Sequence, residues 1–420
     1  MKILHILKTT NGAEWAFKLI CELKNLGHDV YVMLPDANNG KVERYEAVGV
    51  KTVILDVALP VRRFWKFFPM RRAFRKAVAE IAPDIIHTHF VTNTLFVRLA
   101  MRNSGPVRLF QIPGPLHLEC RFFRYADILT ATGNDFWAGS CKLSCNYLIS
   151  SGVNKDHVFL NYYGGYGGEY CDRYEDPVGI LHNELNISAE TPLVGMVSYI
   201  YPPKYYLGQK RGIKGHEDFA DAMQKVLAER PDVQGVIIGD LYGNNTAYRN
   251  KVHQYVQDKC GNKVHFTGFR TDLFKVYREL SVAVHPSHSE NLGGAAESLA
   301  AGVPTVSTDV GGFTDIVIHG KTGLTCPAKS PEPLAEAILE MLNNRAFAVE
   351  SAEAGRANVR TLLDISSTAK VTSEIYDKIH CYPVKKISVI NIGLHLTFLC
   401  FFNMVRASAS AIKDFSFFNI

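Results

Sequence analysis

The stretch 285–312, HPSHSENLGGAAESLAAGVPTVSTDVGG, places two carboxylates, Glu290 and Glu297, on either side of a Gly293-Gly294 pair. Its pattern runs from the end of a strand (281–284) through a polar loop into a short helix (295–301). It then stops at Gly-Val-Pro and enters a second strand (305–308). Glycines let the main chain approach a bound group closely, the helix start offers N–H groups with no partner of their own, and the carboxylates can accept hydroxyls. A polyhydroxylated, phosphorylated molecule suits all three features.

A second concentration of chemistry lies in the loop 198–217, where Lys204, Lys210, Arg211 and Lys214 alternate with Gly208, Gly212 and Gly215. Cations and flexible backbone between a strand and a helix can neutralise a diphosphate. In a merely solvated loop the same residues would be unremarkable. Three histidines lie at or just past strand ends: His87 and His89 in PDIIHTH (83–89), and His117 after a strand over 107–112. Ligands of open α/β sheets bind at the carboxyl ends of strands, which makes these three candidates. Gly12 follows the first strand but stands alone where a dinucleotide fingerprint needs three glycines.

The elements that must hold these residues come as strands at 2–7, 29–34, 51–55, 83–89, 107–112, 126–131 and 158–161, with helical patterns at 13–26 and 41–47. Periodicity lapses from 162 to 186 among glycines and tyrosines, and the break reads as a linker. A second set follows, with strands at 192–198, 234–238, 263–267, 282–285 and 305–308 and helices at 216–229, 246–260, 272–280, 295–301 and 331–343. Such alternation predicts an α/β protein of two Rossmann-like, doubly wound parallel-sheet domains facing a cleft. The expected divisions are 1–165, a linker at 166–190, a second domain at 191–363, a closing helix at 364–382, and an apolar tail at 383–420.

A chain of 420 residues with 47% hydrophobic and 21% charged residues belongs to the soluble globular class. A net charge of +5 with no concentrated reading face gives no reason to expect nucleic acid as a partner. The nine cysteines are scattered and odd in number, and Cys141 and Cys145 form the one close pair with no histidine set to complete it. No metal site is expected, and a reducing compartment fits. The N-terminal apolar run is too short for a signal peptide and reads as the first strand.

The most basic segment, 61–76, interleaves seven Lys/Arg with aromatic rings. It reads either as a surface helix broken at Pro69, with rings on the sheet, or as a segment lying in a lipid interface. Residues 387–406 are apolar but interrupted by Asn391, Gly393, His395 and Asn403. An interfacial anchor or a helix buried against protein fits them better than a membrane-spanning helix.

The segment 287–312 resembles the donor site of the family 4 glycosyltransferases, retaining enzymes of the GT-B fold. Further marks are Asn11-Gly12-Ala13-Glu14, PDIIHTH, Lys214-Gly215-His216-Glu217, Phe266-Thr267-Gly268-Phe269 and Gly320-Lys321-Thr322-Gly323-Leu324. Together they extend over residues 1 to about 380. The resemblance implies that Glu297 holds ribose hydroxyls and Glu290 those of the transferred sugar, with the N–H groups of Asn291, Leu292, Gly293 and Gly294 meeting the diphosphate or sugar. By the same resemblance Lys214 binds the diphosphate, Gly12 faces the donor phosphates, His117 lies close to the reacting sugar, and His87 and His89 line the acceptor side. Six residues separate Glu290 from Glu297, one fewer than the family spacing. Tyr199 stands where the family has an arginine, so Arg211 or Lys204 is expected to replace it.

The implied activity is metal-independent and cofactor-free transfer of a sugar, with retention, from a nucleotide sugar to a glycan or polyprenyl-linked acceptor. No Asp-x-Asp metal motif stands in a suitable loop. The expected setting is synthesis of lipopolysaccharide, capsule or exopolysaccharide in the cytoplasm, at the inner face of the cytoplasmic membrane, with 61–76 and 387–406 as membrane contacts. Two other readings stay open: a nucleotide-sugar 2-epimerase of the same fold, and a non-catalytic carbohydrate-binding or assembly protein.

Overall fold

The computed structural model describes residues 1–10, 13–38, 40–61, 63–205 and 208–382. Gly12, Arg62 and the whole 383–420 tail, including 387–406, lie outside the described residues. The N-terminal domain runs β1 (Lys2–Ile6), α1 (Glu14–Asn25), β2 (Asp29–Leu34), α2 (Lys41–Ala47), β3 (Lys51–Ile54), α3 (Phe67–Ile81) and β4 (Ile85–Thr88). It continues with α4 (Val91–Met101), β5 (Val107–Ile112), α5 (Leu116–Glu119), α6 (Arg121–Thr130), β6 (Asp135–Gly139), α7 (Lys142–Ser150) and β7 (Val158–Leu160). All ladders are parallel in the order β3-β2-β1-β4-β5-β6-β7.

The second half runs α8 (Ile180–Glu184), β8 (Leu193–Val197), α9 (His216–Glu229), β9 (Gln234–Ile238), α10 (Thr246–Cys260), β10 (Val264–Gly268), α11 (Leu273–Val276) and β11 (Val282–His285). Then come α12 (Gly293–Ala301), β12 (Thr305–Thr308), α13 (Phe313–Ile316), β13 (Leu324–Cys326), α14 (Pro331–Asn343), α15 (Arg345–Leu362) and α16 (Ile365–His380). Its sheet order, β10-β9-β8-β11-β12-β13, repeats the first. Strand order reverses between β1 and β4 and again between β8 and β11, so each domain has one crevice where a ligand can enter. Strands β4, β5, β11 and β12 are buried at every position. Parallel strands covered by helices on both faces need apolar side chains on both, which is why they read as runs and not as alternations.

Three expectations change. Residues 126–131 form the end of α6 and not a strand, and the strand is β6, Asp135–Gly139, with every residue buried. The sequence conceals β6 because it opens on Asp135, a charge neutralised by Arg98 and Arg108 from other elements. The supposed linker is partly built into the second core: Cys171, Tyr174 and Leu181 are buried there, and Glu279 accepts the N–H groups of Ile180 and Leu181 at 2.7 and 2.8 Å. Pro69 does not break a helix, since it occupies the first turn of α3, where its missing N–H would have had no partner. The expected closing helix is α16, which returns to the first domain, where Ala369, Ile375, Tyr376 and Ile379 join the core beside α1.

Candidate donor site

The β8/β11 crevice leads to a small polar pocket whose lining includes Ser198, Lys214, His285, Glu290, Gly294 and Phe313. Two glycines are needed to close its walls. Gly215 has φ +75° and a Cβ there would lie 2.0 Å from the Pro286 carbonyl oxygen, so the turn that carries Lys214 in has no room for a side chain. Gly311 has φ +56°, with the Glu290 carbonyl oxygen 1.6 Å from where its Cβ would be. The Gly312 N–H donates to that same carbonyl at 3.2 Å and fixes the loop.

Lys214 Nζ is bonded to Glu290 Oε2, and the Asn291 N–H donates to Glu290 Oε1 at 3.2 Å. The start of α12 at Gly293 therefore lies beside a cation and a carboxylate, with no acidic residue in its first turn. Beneath it His285 is buried, and Nε2 meets Ser298 Oγ at 2.9 Å. Burial, with Lys214 adding to it, lowers the His285 pKa to about 3, so it packs as a neutral ring. Glu297 makes no hydrogen bond to the described residues. Burial raises its carboxyl to about 7; Glu290 adds to the rise and Lys214 opposes it. Four tyrosines, Tyr166, Tyr170, Tyr174 and Tyr277, feel its charge, each held neutral first by its own burial.

The expected cations separate. Arg211 is engaged by Asp218 at 2.7 Å, Asp221 at 2.8 Å and the Tyr255 hydroxyl at 3.0 Å, so it fastens the loop to α9 and α10, and a phosphate would have to compete with two carboxylates for it. Lys204 is half-buried without a carboxylate partner among the described residues. Burial first, then Lys8 from the other domain, lowers it to about 8. Tyr199 packs with Tyr242 and, nearly parallel at 6.2 Å, with Phe269. Leu292 is buried in the core, which leaves only its main chain for a ligand.

The N-terminal rim meets the donor loop directly. Ser140 Oγ donates to Asn291 Oδ1 at 3.1 Å, Ser289 Oγ donates to Glu119 at 2.9 Å, and Pro115 packs on Gly311. Asp315 accepts from the Lys142 N–H at 2.8 Å and the Tyr162 hydroxyl at 3.1 Å. His117 belongs to this rim, on α5, with Nε2 3.3 Å from Asp127 Oδ2. Sequence reasoning missed Glu119, Ser140, Ser289 and Asp315 because each acquires its partner across the two domains. It missed Asp127 by reading α6 as a strand.

His87 and His89 are not on a rim. Both are fully buried with His5, their rings stacked at 4.2 Å (His87–His89) and 5.2 Å (His5–His89). His5 Nδ1 and His89 Nε2 lie 2.9 Å apart, and the Tyr376 hydroxyl bonds His87 Nδ1 at 2.6 Å. Burial lowers all three, His89 to about 3. Their ring nitrogens come within 4.8 Å of one another, the separation a metal would need. The His87 ring is inclined by 36° to His5 and 26° to His89, and contact with an acceptor would require this buried group to open.

Residues 11–113 match the family model for glycosyltransferase family 4, and residues 205–344 the model for glycosyl transferases group 1, together more than half of the chain. Anabaena HepE, solved in complex with UDP, superimposes with a TM-score of 0.73 at 18% identity over 90% of this chain and all of that one. The lipopolysaccharide outer core galactosyltransferase WaaB gives 0.67 at 14% identity over 90% of this chain and all of that one. These likenesses, with two facing Rossmann domains, define the GT-B fold class. Among curated relatives, the lipopolysaccharide core mannosyltransferase LpsB of Rhizobium meliloti is 29% identical over 41% of this chain and 50% of its own length. Glycogen synthase of Mycobacterium tuberculosis is 29% identical over 41% of each. The matched part thus spans half or less of these relatives. The chain belongs to the family 4, group 1 glycosyltransferases.

Proposed function

We propose that the protein is a retaining glycosyltransferase that moves a hexosyl unit from a nucleotide sugar to a glycan or polyprenyl-linked acceptor, without metal or cofactor, in surface polysaccharide synthesis. The observation that carries this reading is the convergence of Lys214, Glu290 and the α12 start in one cleft, with Glu297 left unbonded beside them. A diphosphate entering there would compete with Glu290 for Lys214, and fixed cations and the helix end would stabilise it as leaving group. Released from Lys214, Glu290 would accept hydroxyls of the transferred sugar, and Glu297 those of the ribose. Retention rests on the leaving phosphate taking the acceptor's proton on the same face. Relatives named for lipopolysaccharide core synthesis support the polysaccharide setting.

Membrane contact through 61–76 belongs to the same proposal, as does a place at the cytoplasmic face of the membrane. Phe64, Trp65 and Phe68 are 55%, 56% and 69% exposed, amid exposed Arg63, Lys66, Arg72 and Arg75. Rings at headgroup level with cations on anionic lipid would gain about 1 kcal/mol per basic residue. Among the described residues, no helix is long and apolar enough to cross a membrane.

The test is a screen of nucleotide sugars, uridine and guanosine diphosphate sugars first, for thermal stabilisation and then for labelled sugar transfer to membrane extracts. A donor that stabilises the protein and yields a glycoside supports the reading. An epimerised nucleotide sugar with no glycoside overturns it in favour of a 2-epimerase. Sedimentation with anionic vesicles, lost in Trp65→Ala/Phe68→Ala, tests the membrane part.

A further inference from the structure

We propose that Asp127 is a positioning residue for His117, fixing its imidazole as the Nε2–H tautomer so that an unprotonated Nδ1 accepts a hydroxyl of the transferred sugar. The role of that hydroxyl rests on the sugar-transfer reading above; the tautomer does not. Asp127 has no exposed surface, and its two oxygens face different groups. Oδ1 accepts from Trp137 Nε1–H at 3.1 Å and is paired with Arg98 Nη1, whereas Oδ2 lies 3.3 Å from His117 Nε2.

The carboxylate is held from several elements. Arg98 also donates to the Asp127 carbonyl at 2.6 Å and to Asp135 at 3.2 Å, and Arg108 grips Asp135 with two bonds of 2.8 Å. Burial alone would raise the Asp127 carboxyl, but the Arg98 guanidinium and the hydrogen bond at His117 outweigh it and hold it below the ordinary carboxyl value. An ionised carboxylate can only accept, so a neutral ring against it carries its proton on Nε2. Nδ1 has no hydrogen bond to the described residues. The α5 segment that carries His117 touches the donor loop on both sides of it, through Pro115 and Glu119. A carboxylate that sets the tautomer of an active imidazole is a general arrangement in which an amide replacement leaves the geometry but reverses the proton.

The unequal oxygens make the test specific. In Asp127→Asn, Arg98 and Trp137 are both donors and hold the amide oxygen at the Oδ1 place. The NH₂ then takes the Oδ2 place and donates to Nε2, which moves the ring proton to Nδ1. Ring-nitrogen NMR of the full chain with isotope-labelled histidine reads the tautomer directly, and donor kinetics read its consequence. The expected result is Nε2–H in the wild type and Nδ1–H in the variant, with kcat lowered about tenfold to a hundredfold and donor KM changed by less than about threefold. A wild-type ring protonated on Nδ1, or a folded Asp127→Asn enzyme with wild-type kcat, overturns the proposal. If that variant does not fold, the wild-type spectrum still decides. Trp137→Phe, which removes one of the two Oδ1 anchors, should then keep Nε2–H with a loss of kcat of about a few-fold. A wild type that transfers no sugar from any donor counts against the transfer reading, and the spectrum still decides the tautomer.

Discussion

The two domains share one topology and use it differently. In the first, the crevice between β1 and β4 is filled: His5 and His87 are register partners, His89 stacks on them, and Tyr376 from α16 bonds the group from the far end of the chain. In the second, the crevice between β8 and β11 has walls built on close glycine contacts and is lined with Lys214 and Glu290. Strand order supplies the place for a ligand in both. What the chain lays over that place decides whether it becomes core or cleft.

Lys214→Ala breaks the comparison most severely if it is right. Removing the cation from the open crevice should lower sugar transfer by about 10²–10³-fold, the scale of one lost donor at a developing charge. A loss confined to donor KM would instead make Lys214 a binding group only. In the filled crevice, Tyr376→Phe should act on stability, costing about 1–3 kcal/mol for the partners left unbonded and lowering the unfolding midpoint in denaturant. Its kcat/KM should stay within about threefold; a dead but equally stable variant would make the histidine stack part of the active machinery.

The open crevice also predicts a pH signature. Glu297 is raised to about 7 in the folded protein from an ordinary carboxyl value, so the folded state holds its proton more tightly than the unfolded state. Its contribution to stability is therefore complete below the unfolded carboxyl value and is lost as pH rises through about 7. Glu297→Gln should raise the melting temperature of the unliganded protein at pH 8 by about 2–4 °C, with little change at pH 5. Equal shifts at both pH values would contradict the burial of the carboxyl. The smallest effect is expected from Arg211→Ala, about 1 kcal/mol of stability from partly exposed ion pairs and less than about threefold in donor KM. Lys204→Ala should raise that KM about tenfold, and the reverse ranking would restore Arg211 to the phosphate site.

Much of the architecture was legible. Strands such as Val107–Ile112 and Gln234–Ile238 and the helices at 216–229, 246–260 and 331–343 lie where periodicity placed them, because buried parallel strands and amphipathic helices write their environment into local pattern. The strand over 135–139 was not, since its charge is balanced by arginines 27 and 37 residues away. For the site, glycine spacing and the Glu290, Glu297 and Lys214 types were visible as chemistry. That Arg211 is paired with carboxylates was not visible, because Asp218 and Asp221 on α9 meet it only on folding.

By itself, then, the sequence determined two wound sheets, the glycine-framed donor loop and the residue types able to meet a phosphate and hydroxyls. These depend on spacing within about thirty residues, where backbone geometry alone dictates who neighbours whom. The tertiary structure decided which crevice is filled, which histidines are core, and which carboxylate lies against His117. Those outcomes depend on contacts between distant segments, such as α16 against β4 and α5 against the loop before α12, and on the burial that gives each contact its strength.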